Sequence, residues 1–327
     1  MPFLLATMLT ALTALAIEIC FGYPARIFKT IGHPVTWIGA LIDFLEKRLN
    51  SSDRSPTERR FLGIVALVVT LTVTVAVAVG MVRVISLVLD GAAFLALGLL
   101  GSSLLAQRSL HDHVADVAAG LAVDLQHGRE AIAHIVGRDP QSLDAPAVAR
   151  AAIESLAENF SDGIVAPVLY MAGGGLPAAV AYKTINTADS MIGHRSPRYA
   201  AYGWSAARLD DLVNLPASRL AALLIILAAA LLPGCSAVTS AKAVWRDARR
   251  HRSPNAGWPE AAMAGALGLR LAGPRTYDGV LVDDGWMGRG RADATSVDIL
   301  AALRVYRVAC AIEAGATALL LVWLSWG

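Results

Sequence analysis

Residues 61–80 read FLGIVALVVTLTVTVAVAVG, twenty residues without one charge. Valine, threonine and alanine fill the run, and in water such β-branched composition would suggest a strand. Strands usually end after 4–8 residues, whereas a helix needs roughly 20 apolar residues to cross a bilayer core of about 30 Å. The length decides for a membrane helix. The 327-residue chain is 56% hydrophobic, against about 45–50% for ordinary soluble domains, and its mean hydropathy is +0.55. Its net charge of +2 gives no field suited to nucleic acid, so no nucleic-acid partner is expected.

Working outward, a second apolar run, 84–106, follows with Arg83 between the two. Further runs lie at 3–21 and 305–326, and interrupted ones at 164–182 and 216–233. Pro167, Gly173-Gly174-Gly175 and Pro177 mark 164–182 as a broken or re-entrant helix, and Pro233-Gly234 ends the short run 216–233. The expected fold is therefore all-α: a single polytopic membrane helix bundle of four to six membrane segments with cytoplasmic helical loops. Residues 1–20 lack the positive start of a secretory signal, so an uncleaved span is expected.

Arg26, Lys29, Lys47, Arg48, Arg54, Arg59 and Arg60 crowd 22–60, against Arg83 alone in the next connection. The positive-inside rule places 22–60 in the cytoplasm and the N-terminus outside. Trp37, Ile38, Leu41, Ile42, Phe44, Leu45 and Leu49 recur there at helical spacing. They predict an amphipathic helix, on the membrane surface or packed on the protein. In 107–163, Ser142 or Asp144 is placed to cap the helix after Pro140. Parity favours segments 164–182 and 216–233 not crossing fully, or lining a cleft as half-buried helices.

Cys20, Cys235 and Cys310 show no CxxC spacing, so neither disulfides nor a zinc site is expected. His111 and His113, two apart, point to different helix faces and make a poor metal pair. There is no Walker A pattern, no usable GxGxxG and no internal repeat.

The chemistry-bearing residues concentrate between Glu154 and Arg219. Glu154, Glu158 and Asp162 stand at i, i+4 and i+8, one stripe of carboxylates on a helix. Like charges there repel, so a divalent cation or basic groups must offset them. Oxygen-only ligands fit Mg²⁺, which takes one or two carboxylates plus substrate phosphates; the bland alternative is a solvated acidic face. Lys183, Asn186, Asp189 and Ser190 share a second polar face, followed by His194 and Arg195. Ionisable groups beside an apolar segment are costly and point to function, with interhelical contacts as the plain alternative. Asp210, Asp211 and Asn214 form a DDxxN pattern suited to Mg²⁺ on a diphosphate or triphosphate, and Arg208 and Arg219 are placed to hold phosphate oxygens. A turn-rich loop, 253–262, offers Asn255 and Glu260 as ligand contacts, or is a structural turn. His33-Pro34-Val35 has the same character.

With these blocks in hand the chain resembles a known family. His33-Pro34-Val35, ESLAENFSDGIVAP (154–167), KTINTADSMIGH (183–194), ARLDDLVNLPASRL (207–220) and SPNAGWPEAAMAGALG (253–268) are similar, in order, to the CobD/CbiB membrane proteins of cobalamin biosynthesis, the adenosylcobinamide-phosphate synthases. His194 departs from the aromatic that the family often carries after Met-Ile-Gly.

The resemblance implies a ligase of the cytoplasmic (inner) membrane with its active site facing the cytoplasm. It joins adenosylcobyric acid to (R)-1-aminopropan-2-ol phosphate in an amide bond, using ATP and Mg²⁺. The corrinoid, the amino-alcohol phosphate, membrane lipid and other membrane-bound enzymes of the pathway are the implied partners. Under this reading Glu154, Glu158, Asp162 and Asp211 are catalytic, and Glu158, Asp162, Asp210 and Asp211 hold Mg²⁺. His33, Asn159, Lys183, Asn186, Asp189, Ser190, Arg195, Arg208, Asn214, Arg219, Asn255 and Glu260 bind substrate or ATP. The alternatives are a membrane prenyl- or phospho-transferase using Mg-bound diphosphate, and a non-enzymatic transporter or pathway scaffold.

Overall fold

The computed structural model describes residues 1–23, 30, 32–133, 135, 140–273, 275–277, 280–282 and 285–326. Arg26 and Lys29 of the basic loop lie outside the described residues. The architecture is that of an all-α polytopic membrane protein. Among the described residues, five helical stretches are long and apolar enough to cross a membrane: Phe3–Phe21, Pro56–Val123, Ala145–Ile192, Trp204–Leu231 and Ser296–Trp326.

The chain forms two compact units. The first comprises Met1–Ala106, Ala166–Asn214 and Thr317–Gly327. Within it lie helices α1 (Phe3–Phe21), α2 (Pro34–Leu49), α3 (Pro56–Leu89), α4 (Ala93–Ser102) and α8 (Ala166–Ile192). It also holds residues 204–214 of α9 (Trp204–Leu231) and the end of α12 (Ser296–Trp326).

Ser55 caps α3, accepting the Glu58 backbone N–H, while Glu58 reaches back to Ser55, and Pro56 opens the helix. The sequence reading places a turn at Arg83, but α3 runs through it for 34 residues and the chain turns at Asp90–Ala92. One charge at the end of a long apolar helix does not break it. The break falls where Asp90-Gly91 supplies turn-forming residues, Asp90 itself adopting φ 43°. The run expected at 84–106 is thus divided, and α4 begins only at Ala93.

Small residues let these helices approach closely. A Cβ on Gly98 would lie 2.5 Å from the Thr13 side chain, and one on Gly101 would lie 2.8 Å from Met171. Hydroxyls stitch the apolar helices together. Thr7 donates to the Ala172 carbonyl at 2.6 Å and Thr184 to Thr74 at 3.1 Å. The amphipathic helix is α2, and it packs on the protein: Ile38 and Ile42 join Ala66, Leu67, Ala188, Ile192, Tyr202 and Ala206 in one core. Buried Glu46 on the same face receives a bidentate pair of hydrogen bonds from Arg198, at 2.9 and 2.8 Å.

The expected break in 164–182 falls at Gly175, whose φ of 70° only glycine adopts readily, two residues before Pro177. The helix resumes and carries the Lys183–Ser190 block to Ile192. The short run 216–233 is likewise the second half of a 28-residue helix, α9, whose first half bears the DDxxN pattern. The polar blocks and the apolar runs are halves of the same helices.

The second unit comprises Gln107–Val165 and Leu215–Ala316. It holds α5 (Gln107–Val123), α6 (Leu125–Ile132), α7 (Ala145–Phe160), the rest of α9, α10 (Ala237–Asp247), α11 (Gly257–Leu267) and most of α12. Asp144 caps α7 by accepting from Ala147 N at 2.8 Å. Helices α10 and α11 meet at Gly265, where Thr239 donates to the Gly265 carbonyl and Ser240 to that of Ala262. Phe160 meets Tyr306 edge-on at 5.6 Å, and Tyr306 donates to the Gln107 carbonyl. Two short antiparallel pairs stand outside the helical expectation: β1 (Leu271–Ala272) with β4 (Trp286–Met287), and β2 (Arg275–Tyr277) with β3 (Val280–Val282). The glycines and proline that the sequence carries from Gly273 to Gly285 disfavour a helix over this segment.

Candidate functional site

In the first unit, α8 and the start of α9 bring two sequence blocks into one hydrogen-bonded chain. Lys183 donates to the Asn186 side-chain oxygen at 3.4 Å, and Asn186 to Asp210 Oδ1 at 3.5 Å. Asn214 donates to Asp210 Oδ2 at 3.0 Å and accepts from the Tyr182 hydroxyl at 2.8 Å. Asp210 and Asn214 are buried, so each unmade bond here would carry the desolvation cost of a polar group. Asp189 is near enough to Asp210 for their charges to interact. Asp211, on the next residue of the helix, faces elsewhere. Its carboxylate is 3.7 Å from Arg208 and feels Arg195 as well. Ser190 donates to the Asn186 carbonyl of its own helix.

Tyr182 completes this chain and stacks on Tyr170 with ring centroids 5.2 Å apart. Neither tyrosine stood out in the sequence. Tyr182 immediately precedes Lys183, but its bond to Asn214 crosses 32 residues of chain and no periodicity reveals it.

His33 caps α2. Its Nδ1 accepts from Val35 N at 3.2 Å, with Thr36 closing a capping box, and Pro34 opens the helix. Burial and, secondarily, the Lys183 charge hold its imidazole below the ordinary histidine range, which keeps it neutral and able to accept.

In the second unit the acidic block divides. Glu154 is 6% exposed, and its Oε1 accepts the Ala272 backbone N–H at 2.7 Å. Glu158 and Asn159 are exposed, with Asn159 bonding back to Ser155. The expected single stripe stops short of Asp162, because residues 161–165 form a π-turn. Its wider i→i+5 winding turns Asp162 off the α-helical row, and such bulges recur at functional sites. Elsewhere in this unit Arg219 donates to Asn255 Oδ1 at 2.8 Å, Ser218 donates to the same oxygen at 3.1 Å, and the Arg219 guanidinium lies 4.4 Å from the Trp258 ring centre. Two blocks 36 residues apart in sequence are thereby joined, and Trp258 and Ser218 are additions to the candidates. Glu260 is buried, with His251 Nε2 3.8 Å from its carboxylate.

The four carboxylates expected to hold Mg²⁺ fall two to each unit: Asp210 and Asp211 in the first, Glu158 and Asp162 in the second. Among the described residues no three histidine, cysteine or acidic side chains gather as a metal cage. The Asp210 oxygens accept from Asn186 and Asn214, while the Asp211 carboxylate lies beside Arg208.

Fold and side chains together define a polytopic all-α membrane protein whose helices carry carboxylates, amides and cations on their polar halves. The chain belongs to the CobD/CbiB family, whose family model, described as CobD/Cbib protein, matches residues 11–306. It is similar to a protein named Cobalamin biosynthesis protein CobD from a Sinorhizobium species, 51% identical over 305 residues, covering 92% of this chain and 94% of the relative. The protein of that name from Rhizobium meliloti strain 1021 is 48% identical, covering 93% and 94%. That from Rhodobacter capsulatus strain ATCC BAA-309 is also 48% identical, covering 91% and 92%. No solved structure matches the chain.

Proposed function

We propose that this protein acts in cobalamin biosynthesis as an ATP- and Mg²⁺-dependent amide ligase, joining adenosylcobyric acid to (R)-1-aminopropan-2-ol phosphate to give adenosylcobinamide phosphate. Family membership and the names of the relatives support the pathway. The observation that carries the chemistry is the Lys183–Asn186–Asp210–Asn214–Tyr182 chain, which gathers cation, amide and carboxylate on two helices.

A carboxylate is a poor electrophile. One of its oxygens attacks the γ-phosphorus of ATP, ADP departs, and an acyl phosphate results. The amine then attacks the acyl carbon, inorganic phosphate leaves, and a base takes the ammonium proton. Asp211 is the residue suited to hold Mg²⁺, which supplies charge neutralisation on phosphate oxygens. Lys183, Arg195 and Arg208 bear on the phosphates, where electrostatic stabilisation carries most of phosphoryl-transfer catalysis. Glu158 and Asp162, both reached by solvent, are the candidate bases. Glu154, committed to Ala272, is assigned a positioning role instead.

The active site faces the cytoplasm of the inner membrane, where ATP is available. Asp211→Ala and Glu158→Ala abolish ligation while leaving membrane insertion and melting temperature unchanged. Full activity in either removes that residue from the machinery. ADP, and not diphosphate, appears as product; diphosphate release from a prenyl donor would move the chain to the transferase class.

A further inference from the structure

We infer that a cavity of about 420 Å³ in the second unit, lined by Arg246, Arg250, Arg270, Arg289, Asp247 and Trp286, is a binding site for the phosphoryl groups of a polyanionic small molecule. It lies outside all five sequence blocks that carry the proposed ligation, and no step of that reaction uses it.

Four guanidiniums meet one carboxylate here. Asp247 is buried, its side chain 2% exposed, and it is fully engaged. It accepts from Arg246 Nε at 2.7 Å and from the Gly288 backbone N–H at 3.0 Å. Its single charge therefore fixes Arg246 and the strand end and neutralises one guanidinium of the four. Arg250 is 64% exposed and reaches Asp247 only at 3.8 Å. Arg270 commits its Nε to the Gly290 carbonyl at 2.8 Å, and its guanidinium lies 5.4 Å from the Trp286 ring centre. No salt bridge ties Arg289 among the described residues.

Arginine stays charged at any physiological pH, so among the described residues four positive charges line the cavity against one carboxylate, an excess of three. Mutual repulsion would splay them unless an anion joins them. Guanidinium forks match phosphate oxygens in geometry as well as sign. A lone carboxylate would leave two charges unmet, whereas a polyphosphate meets all three. The volume is in the range of small-molecule sites, roughly 300–1,000 Å³.

The test uses the full chain in a neutral detergent, without corrinoid, amine or Mg²⁺, so that its outcome is separate from that of the ligation assay. Calorimetry follows binding of tripolyphosphate, ATP and glycerol 3-phosphate. Wild type binds tripolyphosphate saturably, and the double variant Arg250→Gln/Arg289→Gln binds it at least about tenfold more weakly, from the loss of charge-assisted hydrogen bonds. Its ligand-free melting temperature is unchanged or raised, because repulsion has been relieved. Arg289→Lys, which keeps charge but loses the fork, weakens binding less and serves should the double variant not fold. Arg304→Gln/Arg307→Gln, elsewhere in the same unit, leaves binding unaltered. Competition by ATP assigns the ligand to nucleotides, and competition by the monoester alone assigns it to phosphate esters. Absence of binding by all three probes, or equal loss in the Arg304/Arg307 control, overturns the inference.

Discussion

Replacing Glu154 separates a positioning carboxylate from a catalytic one. In Glu154→Ala the Ala272 N–H, 2.7 Å from Glu154 Oε1, loses this acceptor in a buried setting, and Ala272 holds the unusual φ of 57°. A buried donor stripped of a charged acceptor costs about 1–3 kcal/mol. Taking 2 kcal/mol, and roughly 2 °C per kcal/mol for a long chain, the melting temperature falls by about 4 °C. Glu154→Gln keeps an oxygen acceptor in nearly the same place, so its melting temperature stays within about 1 °C of wild type. The assay is thermal unfolding of purified protein in detergent, read by intrinsic fluorescence, beside initial ligation rates. Glu154→Gln retains most of the ligation rate. A glutamine variant that melts like wild type yet has lost ligation would refute the assignment and make Glu154 catalytic.

Arg198 holds the Glu46 carboxyl below its ordinary value near 4.5 by direct hydrogen bonds. A depressed folded value means the unfolded chain binds the proton first, so this contribution is complete above about pH 4.5 and is lost as pH falls further. Melting temperature measured from pH 5 down to 3 therefore drops less steeply in Glu46→Gln than in wild type, and parallel curves over that window would contradict the pairing. A Cβ on Gly63 would lie 1.9 Å from the Tyr202 carbonyl oxygen, so Gly63→Ala destabilises by roughly 1–3 kcal/mol or more. Gly80→Ala meets nothing within 4 Å and is tolerated; equal melting of the two variants would contradict the packing. Asn255→Ala removes the acceptor shared by Ser218 and Arg219, and lowers stability by roughly 1–2 kcal/mol in denaturant titration, where no change would show that bond to be immaterial.

The membrane class was legible in 61–80 because length and absence of charge are local properties. The amphipathic α2 was legible too, since its apolar spacing is helical whatever it packs against. Its partner was not, because Ile38 and Ile42 meet Ala188 and Tyr202 from distant sequence. Chain punctuation was partly misread. Arg83 looked like a turn but sits inside α3, since a single charge near a helix end reaches water without breaking the backbone. The π-turn at Ser161–Val165 has no periodic signature and displaced Asp162 from its stripe. At the candidate site, residue types and blocks were readable from the sequence. Which oxygen faces which donor was not, and that is what divides Asp210 from Asp211 and Glu154 from Glu158. The short β pairs were hidden in a polar, arginine-rich segment whose alternation is too brief to read.

The central claim is amide ligation. Purified full-length protein is incubated with ATP, Mg²⁺, adenosylcobyric acid and (R)-1-aminopropan-2-ol phosphate, and the corrinoid is weighed by mass spectrometry. The account predicts a mass gain equal to the amino-alcohol phosphate less one water, with one ADP formed per product and no gain when either ATP or the amine is withheld. An unchanged corrinoid in the complete mixture, with the protein folded and the substrates intact, would contradict it.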